Sequence, residues 1–248
     1  MIAIMMPPGR VRQDRVVAGL PQKTLVLSCA VLRDAVEPRI DASRVKRTYM
    51  DYGLHLRPSR MAQALQAELD ALGEPHTVLI GYGLCGTGVV GLEAGPHTLI
   101  IPRTHDCIAI LLGSHQAYLE AQLDQPGTYY LTRGWLESGN HPLGQYRDLL
   151  ERYDADSADH VIDAMFCLYT RLCFVAATTG ELEQMRPVAR EVADFCAERW
   201  GMEYDECVGS SDLVERMLAA PARSGPLGDD FVVVPPGDRV EQAMFDRD

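Results

Sequence analysis

Five side chains with metal-binding or nucleophilic chemistry fall at or just past the ends of short candidate strands of this chain: Cys29, His55, Cys85, His105 and Cys107. Three thiols and an imidazole form the ligand chemistry of zinc or of an iron–sulfur centre. A metal also removes the thiol protons at neutral pH. The spacing is not that of a local knuckle, because no Cys-x-x-Cys occurs. Nothing near in sequence holds the four ligands together, so their meeting depends on the fold. The candidate ligands are Cys29, His55, Cys85 and Cys107, with His105 as an alternative ligand or a base behind them. The plain alternative is that Cys29 and Cys85 are small buried hydrophobes, a common fate of free cysteine.

Two further chemistries share the stretch Pro102-Arg-Thr-His-Asp-Cys107. Cys107 could be a thiolate nucleophile activated by His105 or His55, with Asp106 between the first pair. Arg103 could clamp a carboxylate or phosphate, or form an ordinary ion pair with Asp106 or Glu93. His105, Arg103 and Asp106 are therefore the candidate catalytic residues. The loop Gly81-Tyr-Gly-Leu-Cys-Gly-Thr-Gly88 contains the string Gly-x-Gly-x-x-Gly of dinucleotide-binding turns. That motif needs a crossover helix of about ten residues or more, and only Val89 to Ala94 precede Gly95-Pro96. The loop is read instead as backbone able to approach a ligand closely. Tyr82, Gly83, Gly86 and Gly88, with Arg103, are the candidates for holding an anionic part of a substrate or cofactor, although Tyr82 alone reads as packing.

The elements that must position these residues are short strands. Thr24 to Cys29, Thr77 to Ile80 and Thr98 to Ile101 are apolar, β-branched runs bounded by turn residues, and Val45 to Met50 is a weaker one. In open α/β sheets, ligands bind beyond the carboxyl ends of the strands. A helix is expected behind Ser59 as N-cap, with Met61, Leu65, Leu69 and Leu72 on one stripe and Gly73 at its end. Others are expected over 31–40, with Pro38 disturbing the last turn, and over 108–123. Thr128 to Thr132 reads as one more strand of the same sheet. Beyond Gly139, two long helical segments are expected, over 142–178 with a break near 154–157 and over 181–200. The apolar contexts of Cys167 and Cys173 there suggest core thiols. A strand near 202–207, a helix from Ser211 or Asp212 to Ala220, and a last buried strand over 231–234 complete the pattern. The fold expected is α/β: a mostly parallel, doubly wound sheet with helices on both faces and a helix-rich C-terminal half. Residues 1–23 read as a loose extension and 24–248 as a single domain, with 24–139 carrying the Cys/His sheet region and 140–248 returning the last strand.

The 248 residues are 47% hydrophobic, enough for one large core, and carry a net charge of −12, which argues against nucleic-acid or anionic-membrane partners. No apolar run approaches the roughly 18 residues needed to span a bilayer. The first ten residues are too soon broken by proline to be an export signal. Seven cysteines, an odd number, then point to a reducing cytoplasm and to thiols rather than disulfides.

Four segments also resemble a known family. They are Gly-Tyr-Gly-Leu-Cys-Gly-x-Gly at 81–88, Pro-Arg-x-His-Asp-Cys-Ile at 102–108, Leu-Leu-Gly-Ser at 111–114 and Pro-Gly-Thr-Tyr-Tyr-Leu-Thr-x-Gly-Trp at 126–135. They are similar to the family named domain of unknown function 1638, and the likeness runs from about Leu25 to Gly237. The resemblance implies a pattern that includes Cys29, His55, Cys85, His105 and Cys107 and omits the other four cysteines. It also implies genes near those of corrinoid proteins and corrinoid-dependent methyltransferases. The chain departs from the family in its N-terminal extension and after Arg171, where Cys-Phe-Val-Ala-Ala replaces a more polar segment. The function expected is a cytoplasmic metal-binding protein, with zinc or an iron–sulfur cluster, serving corrinoid-linked methyl transfer beside a corrinoid protein or methyltransferase subunit. The alternatives are a metal-free cysteine enzyme and a non-catalytic accessory protein that docks such a partner.

Overall fold

A computed structural model describes residues 23–246 apart from 42, 44 and 224. The expected N-terminal extension lies outside these residues except for Lys23. The first half builds one sheet. Strand β1 (Thr24–Cys29) leads through two 3-10 turns flanking the short α1 (Arg33–Val36) to β2 (Lys46–Met50). A 3-10 turn (Tyr52–Leu56) and α2 (Pro58–Asp70) precede β3 (Thr77–Gly81), and an irregular crossover leads to β4 (Thr98–Pro102). Helices α3 (Cys107–Leu111) and α4 (His115–Asp124) follow. The second half holds β5 (Thr128–Leu131), α5 (Arg133–Ser138), α6 (Pro142–Leu150), α7 (Ala155–Phe166), β6 (Arg171–Ala176), α8 (Thr179–Trp200), β7 (Glu203–Val208), α9 (Asp212–Ala219) and β8 (Phe231–Val234).

The architecture is α/β, as expected, but it contains two sheets. The first has the order β2-β1-β3-β4-β8, parallel except for the antiparallel β4–β8 pair. The second is wholly parallel, β5-β6-β7. Strand β5 therefore belongs with the second half and not with the Cys/His sheet. The larger correction is β6: residues 171–176 are a strand where a helix was expected. All six are buried. A central parallel strand is covered on both faces, so its sequence lacks alternation and resembles a buried helical segment.

Three helix boundaries also differ. Pro58 occupies the first helical position of α2 with Arg57 as N-cap, so Ser59 does not cap it. That helix ends at Asp70 with Ala71 as C-cap, before Gly73. The expected helix over 108–123 breaks at Gly113, whose φ is +90°, and restarts behind Ser114, which accepts from Ala117 N.

The two sheets share a core. Val26, Leu79 and Ile100 of the first sheet cluster with Cys173 and Val175 of β6 and with Leu213, Met217 and Leu218 of α9. On the opposite face of the first sheet, Leu25, Leu27, Ile80 and Leu99 pack with Met61, Leu65 and Leu69 of α2. Among the described residues, no helix is long and apolar enough to cross a membrane.

Candidate metal centre

Strand register levels the rim that carries the site. Cys29 stands opposite Met50 on β2, and Ser28 opposite Gly81 on β3. From β1 the chain runs outward to β2 and then returns to the other side as β3, so the sheet's switch point lies between β1 and β3. A crevice forms at such a point beyond the strand ends. Cys29 ends β1, and Cys85 lies in the loop after β3. His55 arrives on the 3-10 turn after β2, which Asp51 caps through its carboxylate on Gly53 N. Cys107 opens α3 after β4, where Asp106 accepts from the amides of Ile108 and Ala109.

These four side chains meet. Cys29 Sγ lies 3.1 Å from His55 Nε2, Cys107 Sγ lies 4.0 Å from the same nitrogen, and Cys85 Sγ lies 3.6 Å from Cys107 Sγ. The ligand atoms of Cys29, His55 and Cys107 all lie within 4.8 Å of one another, and this group could hold a metal ion. The three thiols are buried and His55 is partly buried. Cys85 sits at the edge of this trio.

The charges within the cluster are uneven. The Cys107 thiol lowers Cys29 to about 5 by hydrogen bonding, against the effect of burial and with help from His55. The same donor lowers Cys85 to about 6. Cys107, hydrogen-bonded to Cys29 and Cys85 inside a buried site, is raised well above the ordinary thiol value. Burial alone would depress His55, but the hydrogen bonds of Cys29 and Cys85 outweigh it and hold the imidazole up at about 10. Without a metal these shifts favour the imidazolium form of His55 and the thiolate forms of Cys29 and Cys85.

Of the remaining candidates, Tyr82 is fully buried and its ring lies 5.7 Å from that of His55. Its hydroxyl has no hydrogen-bond partner in good geometry. Burial, then the charge on Cys29, pushes its pKa upward. The hydroxyl lies within hydrogen-bond reach of the Cys29 sulfur, which ties Tyr82 to the cluster.

The glycine loop serves close packing. A Cβ on Gly83 would meet Thr104 Oγ1 at 2.6 Å, and one on Gly88 would meet Met61 Sδ at 2.4 Å. The spaces beside these two residues are thus filled by protein. Leu84 N donates to Thr104 O and Cys85 N to His105 O, which joins the two cysteine-bearing loops. Gly86 is exposed at φ +62° between Cys85 at +45° and Thr87 at +72°. Left-handed conformation is costly for residues with a Cβ.

His105 itself is exposed and its ring packs against His115 at 5.2 Å. Asp106 spends its carboxylate on the α3 cap. Arg103 is partly buried at the end of β4, its amide donating to Asp230 O.

Two neighbours could not be seen from spacing. Trp135 of α5 lies edge-on to His55 at 5.9 Å. Beside it runs a polar cleft lined by Ala30, Tyr52, Arg133 and Glu137 among others. There Arg133 bridges Asp34 at 2.8 Å and Glu137 at 2.6 Å. The tryptophan belongs to the segment at 126–135 singled out in the sequence, but nothing local ties it to a histidine 80 residues earlier.

The four cysteines outside the cluster divide. Cys196 is core, Cys167 is exposed, and Cys173 and Cys207 lie on the adjacent strands β6 and β7. Cys173 is the buried core thiol expected, but on a strand and not a helix, whereas Cys167, also expected in the core, is exposed.

A family model described as "Protein of unknown function (DUF1638)" matches residues 49–218. The chain belongs to that family. No curated protein and no solved structure matches it.

Proposed function

We propose that this DUF1638 member holds one zinc ion on Cys29, His55, Cys107 and Cys85, and uses it to present a thiol substrate for methyl transfer. The observation that carries the reading is the convergence of Cys29, His55 and Cys107 within 4.8 Å of one another, with Cys85 adjoining Cys107 at 3.6 Å, from four separate strand exits. Bonds of about 2.3 Å to sulfur and about 2.0 Å to nitrogen in a tetrahedron place ligands roughly 3.6 Å (S to N) and 3.8 Å (S to S) apart. The separations of 3.1, 3.6 and 4.0 Å bracket those values. A 4Fe–4S cluster puts each thiolate on its own iron, and 3.6 Å between Cys85 and Cys107 suits a single shared ion better than that cluster.

Zinc would supply a low-pKa position at which a substrate thiol is held as thiolate. The chain's own residues do the rest. His55 supplies the neutral ligand that limits the site's negative charge. Trp135 and Tyr82 flank its ring and exclude water. The cleft beside Trp135 gives Arg133, Asp34 and Glu137 to the substrate's polar end. In the transfer, the thiolate sulfur forms the new bond to the methyl carbon, the donor's bond to that carbon breaks, and its electron pair stays with the donor. The donor in this reading is a methylcorrinoid on a partner protein or methyltransferase subunit, as the family resemblance implies. Seven free cysteines support a cytoplasmic setting.

A second reading is favoured by one observation. His55 raised and Cys29 lowered also describe a metal-free imidazolium–thiolate nucleophile. Elemental analysis of anaerobically purified protein separates them. One zinc per chain, lost in Cys107→Ser, supports the metal centre. No metal after reconstitution, with one thiol alkylated far faster than the others, would replace it with the nucleophile.

A further inference from the structure

We infer that Cys85 is a displaceable ligand, which an incoming organic thiol replaces at the metal while Cys29, His55 and Cys107 stay bound. This inference rests on the metal-centre reading above and assigns its ligands unequal roles.

Three observations separate Cys85 from the others. Its sulfur reaches Cys107 at 3.6 Å but lies outside the trio whose ligand atoms are all within 4.8 Å of one another. The trio is anchored on regular structure: Cys29 ends a fully buried strand, His55 rides a turn capped by Asp51, and Cys107 is the first residue of a capped helix. Cys85 instead sits on a run of three left-handed residues, Cys85 to Thr87, of which Gly86 and Thr87 are exposed. Two of the three carry a Cβ and are strained in that conformation. A rotation of this loop would relieve the strain and withdraw the thiolate without disturbing a strand or helix, at the cost of the Cys85 N to His105 O hydrogen bond.

The occupant that fits is a small organic thiol. Exchange of thiolate for thiolate leaves the charge of the buried site unchanged, so no new charge has to be desolvated. The step balances: the bond from Cys85 Sγ to the ion breaks, a bond from the incoming sulfur forms, and the incoming thiol's proton passes to Cys85. Tyr82 completes the site. Its buried hydroxyl lies beside the Cys29 sulfur without a well-aligned hydrogen bond and can turn to donate to the incoming sulfur.

The test is X-ray absorption at the zinc edge on the full-length protein, with ethaneselenol as a probe distinguishable from cysteine sulfur. Wild type is expected to show three sulfurs and one nitrogen, and to exchange one sulfur for selenium when the probe is added. Cys85→Ala should retain one zinc and bind the selenol about tenfold tighter, because its internal competitor is gone. Tyr82→Phe should retain zinc and bind the selenol several-fold more weakly. Loss of zinc from Cys85→Ala to the same degree as from Cys107→Ala would overturn the inference and leave the metal centre standing. So would a wild-type zinc that keeps three sulfurs in excess selenol. Wild-type protein without zinc would overturn both.

Discussion

Gly83→Ala tests whether the glycine loop is built for packing the site. A Cβ there would lie 2.6 Å from Thr104 Oγ1, 2.7 Å from Thr104 O and 2.9 Å from Asp106 N, where ordinary contact begins at 3.4 Å. The shortfall is about 0.5–0.8 Å, and two of the three atoms are backbone that cannot rotate away. The loops must separate, stretching Leu84 N to Thr104 O (2.8 Å) and Cys85 N to His105 O (2.9 Å). Overpacking of this kind costs about 1–3 kcal/mol, and the two strained hydrogen bonds place the expected loss near 2 kcal/mol. Denaturant unfolding should show a lower midpoint at an unchanged slope. Because the separation pulls Cys85 from Cys107, zinc affinity by chelator competition should also fall by about tenfold, or roughly 1.4 kcal/mol. Gly73→Ala is the control, since its Cβ would meet nothing within 4 Å, and it should stay within about 0.5 kcal/mol of wild type. A Gly83→Ala protein as stable as the control, with unchanged zinc affinity, would refute the packing account.

Zinc affinity should rise with pH. His55, held at about 10, and Cys107, raised above the ordinary thiol value, must each give up a proton to bind the ion, whereas Cys29 and Cys85 at about 5 and 6 are already ionised near neutrality. Roughly two protons should be released per zinc between pH 7 and 9, measurable by calorimetry in two buffers, and a pH-independent affinity would contradict the assigned protonation. Glu181 gives a separate stability prediction. Burial raises its carboxyl to about 6, although Ala177 N donates to it at 2.9 Å. A raised carboxyl binds its proton more tightly in the folded state, so its stabilising contribution is present below its unfolded pKa and is lost as pH rises through about 6. Glu181→Gln keeps an acceptor for Ala177 N and should gain roughly 1–2 kcal/mol over wild type at pH 7.5 and little at pH 4.5. Equal differences at both pH values in chemical denaturation would refute this.

The strands β1, β3, β4 and β8 were legible because apolar, β-branched runs ended by Gly, Pro or Cys leave few other conformations open, whereas β2, with Lys46 and Arg47, was a weaker signal. The helical stripe of Met61, Leu65 and Leu69 was equally plain. From these runs the placement of Cys29, His55, Cys85 and Cys107 at strand exits also followed, since it depends only on where each run stops. Strand β6 was not legible: a segment buried on every side carries no periodicity, so neither two-fold nor helical spacing marks it. Nor could sequence show that β5 leaves the first sheet, because pairing is decided by packing between distant segments.

The same division holds for the site. Residue types restrict its chemistry to soft-ligand or thiolate chemistry before any folding is considered. Only the tertiary structure decides that the switch between β1 and β3 brings the four exits to one crevice, that Trp135 closes over His55, and that His105 turns outward to His115. Ligand identity is a property of single side chains and is written locally. Convergence over 3 to 4 Å depends on strand order and register, which are set by contacts among residues far apart in the chain.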